Sequence, residues 1–216
     1  MNKKRLWLIV SVFAVLILAP RNAVLAQSRL PQHLSGIISD YTPLIPTLTP
    51  TGPWEMRGHW SVNLNERSGK ADFSAYITME LSDSGVAAAG ANLTDPKSRS
   101  PHTHHIVMTD ATLSQQDTST CPTYSPANTA LFAITGTAKF ISGNGNSAPF
   151  EKLGPTMLQV CISGGTDGES EVRYSNMSLV MTGPAADKHF GPQPIHGVVR
   201  LRNESEEGDN DDEHRH

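Results

Sequence analysis

Three histidines, His102, His104 and His105, stand directly ahead of a strand-like run from Ile106 to Leu113. Imidazole is the side chain most often recruited for metal binding or proton transfer near neutral pH. In an extended strand, residues two apart share a face. His102 and His104 therefore point one way with Ile106 and Met108, and His105 points the other way with Val107, Thr109 and Ala111. Side chains so placed stand about 6 to 7 Å apart, close enough for two imidazoles to reach one ion at ~2.0 Å from each nitrogen. Both faces carry apolar residues, so the pattern does not say which one is interior. A third ligand has to come from elsewhere. His189 and His196 flank the compact loop Phe190-Gly191-Pro192-Gln193-Pro194, which could close over the first cluster, with His105 as the substitute ligand if the strand starts later. A site of neutral imidazoles suits copper or zinc, and the Irving–Williams order favours copper(II). Protons compete for the same nitrogens, so affinity is expected to fall as pH drops below the ~6.5 reference value of histidine.

The elements that must position these residues read as strands. From Trp54 to Leu64 apolar and polar residues alternate, and after a polar turn at 65–70 the alternation resumes from Phe73 to Leu81, the mark of an antiparallel hairpin. Further strand candidates are Ile106–Leu113, Ala130–Ile141, Thr156–Ser163, Val172–Thr182 and Ile195–Arg202. Between them lie turn-rich pieces, among them Ser142 to Asn146 and Gly164 to Gly168, where Gly and Asn supply the φ > 0 conformations of tight turns. Little helical periodicity and no βαβ spacing remain, so the fold class is all-β, one antiparallel β-sandwich or barrel of about seven strands spanning 52–203. Residues 27–51 are read as a proline-rich linker or arm, because Pro43, Pro46, Pro50 and Pro53 prevent a continuous helix or central strand.

The ends suggest export. Lys3, Lys4 and Arg5, the apolar run Leu6–Ala19 and the small-residue site Val24-Leu25-Ala26 form a signal peptide over 1–26, with an apolar run short of the ~20 residues of a spanning helix. The expected location is therefore periplasmic or secreted. Of the 17 basic residues four lie in that leader, so the remainder carries 13 basic against 21 acidic residues, a net charge of −8. Seven of the acids belong to the segment 204–216, which is read as a disordered tail because it has no large apolar residue to bury. Without that tail and its Arg215 the body holds 12 basic and 14 acidic residues, and it offers no basic footprint for nucleic acid. Asp209, Asp211, Asp212, Glu213, His214 and His216 give the tail weak, nonspecific cation ligands only. Cys121 and Cys161, an even count in an exported chain, predict one disulfide.

Two Gly-x-Trp triplets, Gly52-Pro53-Trp54 and Gly58-His59-Trp60, open the strand region, and Arg200 and Arg202 sit near its end. This pattern is similar to that of the lipocalins. The resemblance implies an indole packed beneath a late arginine at the closed end of a barrel that binds a small apolar ligand. Established catalytic motifs are absent: there is no G-x-S-x-G, H-E-x-x-H, phosphate-binding glycine loop or C-x-x-C. Asn92, Asn176 and Asn203 head glycosylation triplets, which matter only in a eukaryotic secretory pathway. The reading that results is an exported, non-enzymatic β-rich binding domain that holds copper or zinc through a histidine cluster. The alternatives are a lipocalin-like barrel for a small apolar ligand and a metal-dependent enzyme of unspecified reaction.

Overall fold

The computed structural model describes residues 30–43, 52–122, 129–142, 156–166 and 172–200; the expected signal peptide and acidic tail lie outside them. The elements are β1 (His33–Tyr41), β2 (Trp54–Asn65), β3 (Lys70–Leu81), α1 (Asp83–Ala88), a 3-10 turn (Pro96–Arg99), β4 (His102–Ser114), β5 (Thr129–Ser142), β6 (Thr156–Thr166), β7 (Val172–Thr182), α2 (Pro184–Phe190) and β8 (Ile195–Arg200). Each strand pairs antiparallel with the next, and β8 pairs with β1, which closes a barrel of eight strands. A barrel leaves no open edge, so every strand is flanked on both sides. No helix among the described residues is long and apolar enough to cross a membrane.

The eighth strand is the main difference from the sequence reading. Residues 27–51 are not an arm alone, because His33–Tyr41 runs as β1 between β2 and β8. The prolines that argue against a strand all lie after it. Leu34, Gly36 and Ile38 face inward with period two, and glycine at the middle position hides the alternation. That glycine is required by space: a Cβ at Gly36 would stand 1.9 Å from the Val198 carbonyl oxygen and 2.7 Å from Trp60 Nε1. A second difference concerns Gly164 and Gly165, read as a turn, which continue β6 opposite Tyr174 and Arg173 of β7.

The inward residues fill the barrel. Val62, Ile77, Ile106, Phe132, Ile134 and Val160 each expose 0% of their surface. Side chains lining a water-sized void would present area to it, so no such void borders these residues in the middle of the barrel. An eight-stranded barrel has an interior just wide enough to be filled by side chains in this way. Trp60 lies in this core 6.5 Å from Phe73 by ring centroids. Arg200 is exposed on β8, so the indole-beneath-arginine contact implied by the lipocalin likeness is not made by Arg200, and Arg202 lies outside the described residues. Of the glycosylation triplets, Asn92 is exposed in a turn whereas Asn176 is half-buried within β7, followed by a Ser178 that is 1% exposed.

A disulfide joins Cys121, in the connection after β4, to Cys161 on β6 across 40 positions, as the parity of cysteines predicts. It sits outside the main core with Ala133.

Because consecutive strands are antiparallel, the starts of β2, β4 and β8 and the ends of β1, β3 and β7 meet at one end of the barrel. Over that end lies α2. Pro184 opens the helix, where a missing N–H leaves no bond unmade. Ala186 and Phe190, buried at 1% and 0%, turn inward. Gly191 closes it at φ 85, and a Cβ there would also meet Pro43 Cδ at 2.7 Å, so glycine is needed on both counts.

Candidate metal centre

β4 begins at His102, four residues before Ile106, so the histidine cluster is part of the strand and not its entrance. Its residues alternate strictly from His102 to Met108, and the buried set is His102, His104, Ile106 and Met108. The inward face is thus the H-x-H face. Beyond Met108 the parity changes. Asp110 takes φ 55 at a bulge, its N–H donates to Asp72 Oδ1 at 2.8 Å, and Ala111 turns into the core instead of joining His105.

Each imidazole has a separate support. His102 and His104 are each 1% exposed, and their rings lie 4.9 Å apart by centroids. His189 comes from the last turn of α2, and its Nε2 reaches 2.8 Å from His104 Nε2 and 3.3 Å from His102 Nε2. One ligand nitrogen from each of the three lies within 4.8 Å of the other two. Trp54 stands edge-on to His102 at 4.9 Å, and Phe190 packs edge-on to His104 at 5.0 Å, so the trio is walled by aromatic rings. His102 Nδ1 lies 3.1 Å from the carbonyl oxygen of Ser100, a residue in the left-handed region at φ 48.

That last contact fixes chemistry. A carbonyl only accepts, so Nδ1 of His102 carries the hydrogen and donates it, leaving a lone pair on Nε2 that faces His189 Nε2. Orientation of a ligand histidine through its second nitrogen is the usual support of a metal site. At 2.8 Å, His104 Nε2 and His189 Nε2 are hydrogen-bonded, so one of them holds a hydrogen and the other accepts it. The three facing nitrogens therefore share a single hydrogen. A tetrahedral ion at ~2.0–2.1 Å from nitrogen spaces its ligands roughly 3.3 Å apart. The His102 to His189 distance already matches, and the His104 to His189 distance needs to open by about 0.5 Å.

The trio is neutral. Burial holds the pKa of His104 down at about 3, with His189 and His102 adding repulsion. Burial, then His102, lowers His189 to about 4. His102 is also lowered by burial, which outweighs the Ser100 carbonyl. Desolvation penalises the imidazolium form. The expectation that protons compete from ~6.5 downward is thereby corrected: for His104 and His189 competition begins well below that value.

The other two predicted ligands go elsewhere. His105 faces outward, and its Nε2 lies 3.0 Å from Ser74 Oγ. His196 also faces out from β8 and is held by Asp40, whose Oδ2 lies 2.8 Å from Nδ1 and accepts the His196 backbone N–H at 2.7 Å. Of the five histidines, three converge. The spacing of the histidines does not point to Ser100, Trp54 or Phe190 as their supports. Trp54 was within reach, since it shares the inward parity of Met56 and Trp60 on β2. The Ser100 carbonyl carries no side-chain signal at all. No protein-family model, no curated protein and no solved structure matches this chain.

Proposed function

We propose that the chain is an exported β-barrel whose end holds a single borderline metal ion, copper or zinc, on His102, His104 and His189. The observation that carries this reading is the convergence of three Nε2 atoms in a buried, neutral, aromatic-walled pocket. Three neutral imidazoles gathered around one point supply the nitrogen donors that copper or zinc uses, once the shared hydrogen has moved off the facing nitrogens. Export is supported by the basic, apolar and small-residue pattern of residues 1–26 and by the Cys121 to Cys161 bridge, a bond that persists in oxidising compartments.

A small apolar ligand within the barrel has less support, because the interior is taken up by side chains with no exposed surface. The test is thermal unfolding of the full chain with and without zinc or copper(II). A ligand at a hundred times its dissociation constant stabilises by about 2.7 kcal/mol. A clear upward shift that is lost on adding chelator, and lost in the His102→Ala/His104→Ala pair, is expected. The pair leaves the tail histidines in place, so an equal shift in the variant places binding outside the barrel and refutes the assignment.

A further inference from the structure

The layer of the barrel that holds His102 contains two thioethers. In the pairing of β3 with β4, Met79 is directly opposite His102, and in the pairing of β2 with β3, Met56 is directly opposite Met79. Both face inward, Met79 at 0% and Met56 at 1% exposure. Directly opposed residues on one face have Cβ atoms about 4.5–5.5 Å apart, and a side chain two places along is also within reach of a long one. Met79 is therefore the immediate neighbour of His102 and the diagonal neighbour of His104. Methionine is unbranched with three rotatable bonds, so its sulfur can swing toward a group placed there.

The charge of the site points the same way. Among the described residues the cluster consists of three histidines, with no carboxylate or thiolate in the group. A divalent ion buried there would keep its full charge with no anionic ligand to offset it. The penalty of burying an ion scales with the square of its charge, so a monovalent ion suffers roughly a quarter of it. Soft thioether and imidazole donors are the set that selects copper(I), whereas zinc prefers a ligand set of nitrogen, thiolate or carboxylate.

Building on the proposed metal site, we infer that Met79 supplies a fourth, thioether ligand to the His102, His104 and His189 trio, and that this makes the end of the barrel a copper(I) site. Met56 packs behind Met79 and is not a ligand. The inference assigns no redox step: the ion is taken up as copper(I) and held as copper(I).

The experiment is competition for copper(I), under reducing and oxygen-free conditions, between the full chain and a chromogenic copper(I) chelator, paired with a zinc competition on the same samples. Met79→Leu preserves apolar volume and removes only the sulfur, and Met56→Leu is its control. Copper(I) affinity is expected to fall by about tenfold or more in Met79→Leu, the factor that loss of even a supporting partner exacts from a metal site. Zinc affinity in that variant, and copper(I) affinity in Met56→Leu, are expected to stay within about twofold of the parent. X-ray absorption of the copper(I)-loaded parent should show a copper–sulfur shell that Met79→Leu lacks. Unchanged copper(I) affinity in Met79→Leu overturns the inference while leaving the three-histidine site intact. An equal fall for both ions overturns it too, since packing alone then accounts for the effect. A parent chain that binds neither ion, or binds both as well after His102→Ala/His104→Ala, removes the three-histidine reading and this one with it.

Discussion

Lowering the pH from 7 to 4.5 in the presence of chelator should destabilise the metal-free barrel through its buried histidines. His104 and His189 titrate near 3 and 4 when folded, below the ordinary 6.5 that they regain on unfolding. A depressed folded value means that the unfolded chain binds protons the folded chain refuses, so the stability linked to these groups is complete above ~6.5 and is lost as pH falls toward the folded values. Each pH unit in that window is worth about 1.4 kcal/mol for one such group. Over the roughly two units between 6.5 and 4.5 each ring contributes about 2 to 3 kcal/mol, so the pair contributes on the order of 5 kcal/mol, a large share of the ~5–15 kcal/mol of an ordinary domain. His102, shifted in the same direction, adds to this. Urea unfolding followed by tryptophan fluorescence at pH 7 and 4.5 measures the loss, and His104→Leu isolates the contribution, because exposed carboxylates titrate alike in both proteins. The variant should lose less stability than the parent over this interval by at least about 2 kcal/mol. Losses equal to within about 0.5 kcal/mol would mean that the rings are solvated and already charged near pH 6, and the argument from burial would fail.

The remaining predictions use other handles. At pH 6, three histidines of ordinary pKa would release about two protons on binding zinc; calorimetry in buffers of differing ionisation enthalpy should find well under one here, and a release of two would contradict the neutral trio. Replacing Cys121 and Cys161 by serine reopens a 40-position loop and should lower stability by about 4 kcal/mol in the chain-entropy model. An unchanged urea midpoint would show that the bridge constrains nothing. Gly36→Ala drives a methyl onto the Val198 carbonyl oxygen and the Trp60 ring and should destabilise by ~2 kcal/mol or more. A melting temperature equal to the parent's would argue against the close approach of β1 and β8.

How much of this was legible in the sequence depends on the residue. The β2–β3 hairpin announced itself through unbroken alternation from Trp54 to Leu64 and from Phe73 to Leu81, and β7 was read at its observed bounds. β1 was not, because Gly36 replaces an apolar residue at the one inward position that would have completed its period. The pairing of His102 with His104 followed from strand parity, but the choice of the inward face did not. Val107 and Ala111 made the His105 face look equally apolar, and only the bulge at Asp110 shows that Ala111 belongs to the other face. His189 was one of two candidates for a third ligand, and the decision between it and His196 rests on Asp40, which holds His196 outside the barrel from a strand that the sequence reading had not placed. Packing partners distant in sequence, such as Met79 opposite His102, follow from register, which no single strand reveals.

The third imidazole rides on α2, the last connection before β8, and β8 is the strand that seals the barrel against β1. For the proposed metal site, the order of the chain thus makes ion binding a test of how far the chain has been delivered. A polypeptide that has delivered only β1 to β7 offers two ring nitrogens on an open sheet, and His189 enters with the connection that leads into the last strand. Strong metal retention at the proposed site would then distinguish chains that include α2 from chains that stopped before Pro184.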